Sequence, residues 1–205
     1  MYEKASIILP DQVKDVLIGI LLGDAHVAKR SPTGNSRVVY AQTAELHKNY
    51  FELVYSIFEP FCAKNYTIQN RTFTDSRSAK TYKAVSFTTM QLPCFNIFRE
   101  MFYISNVKIV PENIYHLLTP KALAFWIMDD GSRQGEGLHI SVYGFSNTDL
   151  DKLMFTLQDK YKLKCSIHLN RDNKPRIYIF KESMDNLRDL TRQYFVKEML
   201  YKLGL

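Results

Sequence analysis

Cysteine is scarce in this sequence. Its three residues, Cys62, Cys94 and Cys165, lie far apart and include no paired metal-ligand spacing. Three cannot all pair within one chain, so a reducing compartment is the simplest account and structural zinc is not expected. Long apolar runs are also missing. The longest, Val16 to Leu22, falls far short of the roughly 20 residues that span a bilayer. No basic stretch followed by an apolar core opens the chain, so no secretory signal is expected. These absences predict a soluble, intracellular protein with no membrane partner. The eight glycines form no phosphate-cradling loop, and no nucleophilic serine or cysteine signature appears. The five histidines are scattered, without the spacing of a zinc site or a His-rich nuclease cluster.

What is present suits a folded globule. A hydrophobic fraction of 46% with 13% aromatics excludes disorder, and 205 residues fit one large domain or two small ones. The net charge of +6 and pI near 9.1 fit an anionic partner only modestly. How the basic residues are distributed is more informative.

Pro10-Asp11 predicts a helix start, and that helix runs through Val16–Leu22 to Asp24. His26–Arg30, a turn over Ser31–Asn35 and Arg37–Thr43 read as a hairpin. Leu46–Phe58 reads as an amphipathic helix. A second hairpin, Tyr66–Phe73 with Tyr82–Thr89, surrounds a polar turn at Asp75–Lys80, and Leu92–Tyr103 reads as helical. The order then repeats. Thr119-Pro120 is a strong helix start, threonine as cap and proline at the first position, and that helix ends at Asp130-Gly131. Leu138–Phe145 follows as a strand, Asn147–Tyr161 as a helix, Lys164–Leu169 with Arg176–Phe180 as a hairpin, and Met184–Phe195 as a closing helix. Residues 104–118 read as a linker. The expected fold is α/β (α+β), with two pseudo-twofold αββαββα halves over residues 1–105 and 106–205.

Two of the helices share an unusual pattern. Leu17-Ile-Gly-Ile-Leu-Leu-Gly-Asp24 and Leu123-Ala-Phe-Trp-Ile-Met-Asp-Asp130 are each apolar until an acid at the eighth position. Apolar sides are buried, so each carboxylate comes where packing meets the surface. A lone acid ending a helix is ordinarily a solvated residue; two at matching positions of a duplicated unit are not. Gly19 and Gly23, four apart, lie on one helical face and allow close approach of a partner helix. Their counterparts by register, Phe125 and Asp129, are much larger, so the two helices are expected to mesh asymmetrically.

In these two motifs the chain resembles the LAGLIDADG homing endonucleases in their single-chain, two-motif form. Asn106-Val-Lys108-Ile-Val-Pro111, Leu118-Thr119-Pro120, Phe125 to Gly131 and Met199-Leu-Tyr-Lys202-Leu203 extend the likeness to the yeast mitochondrial intron-encoded subgroup. Motif 1 departs from the pattern with Ala25 in place of glycine, and motif 2 with Asp129 in place of a small residue.

The resemblance implies a metal-dependent double-strand DNA endonuclease that leaves 3′ overhangs and acts in intron mobility. It implies Asp24 and Asp130 as catalytic metal ligands, with Gly23 and Asp129 beside them, and Mg²⁺ as cofactor. Mn²⁺ would substitute, and Ca²⁺ would bind without cleavage. It makes Lys108 and Lys202 the basic residues beside each scissile phosphate, and Gln42 the water-holding polar residue, with Glu45 as the alternative. Ser141 or Tyr143 stands at the matching place in the second half. Duplex DNA is the expected partner of a monomer, in an organelle by coding context. An intron RNA, bound by a splicing maturase on the same scaffold, is the alternative.

Polar and basic residues concentrate in the predicted hairpins: Lys29, Arg30, Arg37, Gln69, Asn70, Arg71, Arg77, Lys80, Lys83, Arg133, Gln134, His168, Asn170, Arg171, Lys174 and Arg176. Side chains alternate along a strand, so one sheet face can join the core while the other meets a groove. Arg and Lys suit guanine and Asn or Gln suit adenine; other contacts only hold phosphate.

Overall fold

The computed structural model describes residues 7–44, 47–74 and 81–205. Glu45 and the turn 75–80, with Arg77 and Lys80, lie outside the described residues. In chain order the elements are α1 (Asp11–Leu22), β1 (His26–Lys29), β2 (Ser36–Thr43), α2 (Lys48–Phe58), β3 (Gln69–Thr74), β4 (Thr81–Thr88), α3 (Asn96–Phe102), β5 (Tyr103–Ile104) and β6 (Val107–Lys108). They continue with α4 (Ile114–Leu117), α5 (Pro120–Asp130), β7 (Gly131–Gln134), β8 (Gly137–Ser141), α6 (Asn147–Phe155), β9 (Cys165–Leu169), β10 (Pro175–Ile179) and α7 (Met184–Thr191). The fold is mixed α/β with antiparallel sheets. It divides into two compact units, one built on Asp24–Arg99 with the chain up to Val13, the other on Lys14–Gly23 with Glu100–Leu205.

In the first unit the sheet order is β1-β2-β4-β3. Alternation along β2 turns Ser36, Val38, Tyr40 and Gln42 inward. The aromatic core beneath joins Tyr40, Phe51 and Phe87, with ring centroids 5.7–6.1 Å apart. Phe58 packs on Phe87 at 6.0 Å. Asn96, opening α3, ties this core to the β1–β2 turn: its Oδ1 accepts from Ser36 N at 2.8 Å and its Nδ2 donates to Asn35 at 3.0 Å.

The second unit repeats the strand order as β7-β8-β10-β9. Here Lys14–Gly23 packs against α5. Every residue of α5 from Ala122 to Met128 is buried, as is every residue of α1 from Val16 to Leu22. Burying each large aliphatic side chain contributes about 1.5–3 kcal/mol. Contact is close where Gly19 and Gly23 fall. A Cβ on Gly19 would lie 2.7 Å from Phe125 Cβ, and one on Gly23 would lie 2.5 Å from Asp129 Cβ. The small residues of motif 1 therefore face the large ones of motif 2, as the asymmetric register predicts. Thr119 caps α5, its Oγ1 accepting from Ala122 N at 3.1 Å.

The structure differs from the sequence expectation in four places. The segment 104–118 is not a bare linker. It holds the two-residue pair β5–β6 and the short α4, and buried Asp149 binds Val110 N at 3.1 Å. Asp149 can do so because it also forms the capping box of α6 with Ser146. Residues 131–134 form a strand, β7, that the reading missed. The strand expected over 138–145 stops at Ser141. The chain also ends in a 3-10 stretch, Lys197–Leu203, that was not expected. Among the described residues no helix is long and apolar enough to cross a membrane.

Candidate functional site

Each motif helix leaves its last carbonyl groups without a partner inside the helix, and these carry the negative end of its dipole. In the second unit two lysines answer both ends. Lys108 Nζ donates to Gly23 O at 2.9 Å, at the end of motif 1. Lys202 Nζ donates to Met128 O at 2.5 Å and reaches Ile127 O and Asp129 O at 3.4 Å, at the end of motif 2. Lys202 is only 4% exposed, so its long stem crosses apolar packing to bring the ammonium there. A buried cation is tolerated when paired or well hydrogen-bonded. Asp130 lines a recess of about 240 Å³ together with Gly23, Lys108, Ser141 and Tyr143. Burial alone would raise the Tyr143 phenol, but hydrogen bonds from Ser141 and Arg176 outweigh it and bring the group below its usual value.

In the first unit Asp24, the last residue of motif 1, is exposed two residues beyond the end of α1 at Leu22. Gln42, on the inward face of β2, donates from Nε2 to Asp24 Oδ2 at 2.6 Å and to the Tyr40 hydroxyl at 3.1 Å. Its Oε1 meets His47 Nδ1 at 3.0 Å. His47 was not singled out by the sequence reading. The signal available was its position, immediately before α2, where Ser, Thr, Asp or Asn ordinarily caps a helix.

The oxygen donors at the motif ends, carboxylates and main-chain carbonyls, are the kind that magnesium takes. Among the described residues no three His, Cys, Asp or Glu side chains come together as a ready-made cage.

Register sorts the expected DNA contacts by face. In the first sheet Arg37, Gln69 and Arg71 share one face with Ala41, Ala84 and Ser86. Lys29, Asn70 and Lys83 fall on the opposite face, and Arg30 lies exposed just past β1. In the second sheet Gln134, His168 and Arg176 share a face with His139, Ser141 and Tyr178. Arg133 lies on the other face and lines a separate recess with Lys181 and Arg188. Arg171 and Lys174 are exposed at the β9–β10 turn, which Asn170 shapes by accepting from Asp172 N and Lys174 N. Arg176 Nε donates to Tyr143 Oη at 2.7 Å, and Lys174 lies 5.5 Å from the centroid of the same ring.

At the centre of this polar face His139 Nε2 lies 3.3 Å from His168 Nδ1, and Tyr178 stacks on His168 at 4.7 Å. Burial, then the neighbouring His168 and Arg176, lower the His139 pKa from its ordinary 6.5. A lowered histidine pKa favours the neutral form in the folded state. Its contribution is therefore present above about pH 6.5 and lost as pH falls through the folded value. Thermal melts between pH 7.5 and 5.5 should show destabilisation on acidification, and this slope should be shallower in His139→Phe.

A family model described as the LAGLIDADG DNA endonuclease family matches residues 14–187. The cytochrome b mRNA maturase bI2 of Saccharomyces cerevisiae is 32% identical over 94% of this chain and 47% of its own length. This chain thus spans about half of that relative. The intron-encoded endonuclease ai4 of Dictyostelium discoideum is 34% identical over 75% of this chain and 99% of its own length. The fold matches the homing endonuclease I-WcaI bound to its DNA recognition sequence, with a TM-score of 0.89 and 24% identity, over 98% of this chain and 90% of that one.

Proposed function

Because the chain belongs to the LAGLIDADG DNA endonuclease family, we propose that it is a site-specific homing endonuclease. It makes a magnesium-dependent double-strand break in a long asymmetric site and leaves 3′ overhangs. One observation carries the reading: each acid-tipped motif helix retains both its acid and a lysine bonded to its terminal carbonyls, Lys108 on Gly23 and Lys202 on Met128. Lysines commonly answer the negative ends of helices, but an acid beside each such lysine, at matching positions of both motifs, is the added feature that the reading explains.

In this mechanism Asp24 and Asp130 would hold the divalent ions, with the carbonyls of Gly23 and Asp129 as neighbouring oxygen donors. Magnesium bound there would supply Lewis acidity at the phosphate and a more acidic water. Gln42 keeps Asp24 in place and orders water beside it. Lys108 and Lys202 neutralise the helix ends and stabilise charge developing on the phosphate oxygens. Arg37, Gln69 and Arg71 on one sheet, and Gln134, His168 and Arg176 on the other, read or hold the duplex. The repeated strand order supports two pseudo-twofold halves, residues 1–105 and 106–205. A monomer acting in an organelle belongs to the same proposal.

The second reading is a splicing maturase that binds intron RNA, favoured by the name of the S. cerevisiae relative. Selection of cleaved molecules from a randomised duplex library in magnesium tests the nuclease directly. One long asymmetric sequence with 3′ overhangs should be recovered; no cleaved species would refute it. Splicing assistance should survive Asp24→Asn, whereas cutting should not.

A further inference from the structure

We propose that His47 is a positioning residue that orients the Gln42 amide so that its nitrogen faces Asp24. The effect on cutting rests on the endonuclease reading; the orienting bond itself does not. A glutamine amide has two chemically opposite ends of nearly equal size, and only hydrogen bonding decides which points where. Gln42 is 8% exposed, so a wrong orientation cannot be repaired freely by water. With Oε1 turned towards Asp24 Oδ2, two acceptors would meet at the present 2.6 Å and repel.

The Asp24 carboxylate, which only accepts, forbids that reversal, and the other two partners of Gln42 differ in how they bear on it. The Tyr40 hydroxyl, 3.1 Å from Nε2, can give or take a hydrogen and so tolerates either orientation. His47 does not. Gln42 Oε1 carries no hydrogen, so the 3.0 Å contact with His47 Nδ1 is a bond only if the ring carries its proton on Nδ1. Reversing the amide would set the Nε2 hydrogens against that proton. With its proton on Nδ1 the imidazole thus reinforces the amide orientation that Asp24 requires, and the amide in turn holds the carboxylate.

The local structure shows that His47 serves Gln42 instead of its own helix. His47 stands at the N-cap of α2, a place where a short polar side chain normally accepts from the first-turn N–H groups. Its backbone performs the start of the helix, with Phe51 N donating to His47 O at 2.9 Å. Its side chain makes no cap bond. A cap position occupied by a residue whose ring turns elsewhere breaks a local rule, which is a mark of functional sites.

The test has two arms. In the wild-type protein, two-bond proton–nitrogen correlation spectra of the His47 ring, assigned by their loss in His47→Phe, should show the Nδ1-protonated tautomer at pH 8. Gln42→Ala should release that preference. An Nε2-protonated ring, or a tautomer indifferent to Gln42→Ala, would overturn the proposal, and neither result depends on nuclease activity. In the second arm, single-turnover cleavage of the selected duplex in magnesium should slow about tenfold in His47→Phe, the scale of one lost neutral hydrogen bond. His47→Asn, whose amide can still donate to Oε1, should recover part of the rate. Melting temperatures of both variants check that they are folded. Undiminished cutting by folded His47→Phe would overturn the positioning role even where wild-type cutting upholds the enzyme.

Discussion

Asp24→Asn and Asp130→Asn should each slow double-strand cleavage by about a thousandfold or more, while duplex affinity in calcium stays within about threefold of wild type. Asparagine keeps the shape of aspartate and one carbonyl oxygen, so packing at the motif ends changes little. Gln42 Nε2 could still donate to residue 24 as it does now at 2.6 Å. What is lost is a full negative charge, and with it the attraction for a divalent ion at the place where phosphate must be activated. In the proposed mechanism affinity for DNA comes from basic and polar side chains on the sheets and their turns, which the substitutions do not touch. Plasmid substrates carrying the selected site separate nicked from linear products. Full linearisation by either variant would remove the proposed mechanism.

Gly19→Leu should destabilise the second unit by about 3 kcal/mol or more, lowering the melting temperature by roughly 10 °C. A Cβ at Gly19 would already lie 2.7 Å from Phe125 Cβ and collide with the Ala122 carbonyl. Neither obstacle is the free end of a flexible side chain, so the two helices would have to move apart. That separation would loosen buried contacts along α1 from Val16 to Leu22 and along α5 from Ala122 to Met128. Gly144 provides the control, since nothing lies within 4 Å of a Cβ built there; Gly144→Ala should fall within about 0.5 kcal/mol of wild type. Equal melting temperatures for Gly19→Leu and wild type would contradict the close helix contact.

The motif helices were legible because each is a continuous apolar stretch closed by polar residues, and Thr119-Pro120 marks a start by capping chemistry alone. The asymmetric meshing was legible too, since glycine against phenylalanine or aspartate follows from register. Short elements were not. Residues 104–118 carry no sustained periodicity, because β5 and β6 have two residues each, turned by Ser105 and Asn106 at positive φ, and α4 has only four. Strand β7 hid because Ser132, Arg133 and Gln134 are polar and exposed, although Gly135 at φ +57° signalled the tight turn to β8.

At the site, residue types could be named but not their bonds. The contact of Gln42 with Asp24 joins residues 18 apart, and that of Lys202 with Met128 joins residues 74 apart. Alternation alone did not divide Arg37 and Arg71 from Lys83, because the division needs the pairing register. His47 escaped notice because its use is tertiary.

The account rests on the motif acids holding a divalent ion. Calorimetric titration of calcium into the complex of this protein with its selected duplex tests that most directly, since calcium is expected to bind there without turnover. Wild-type protein should show saturable binding that disappears when Asp24→Asn and Asp130→Asn are combined, with the duplex still bound. Calcium binding of undiminished affinity in that double variant would contradict it.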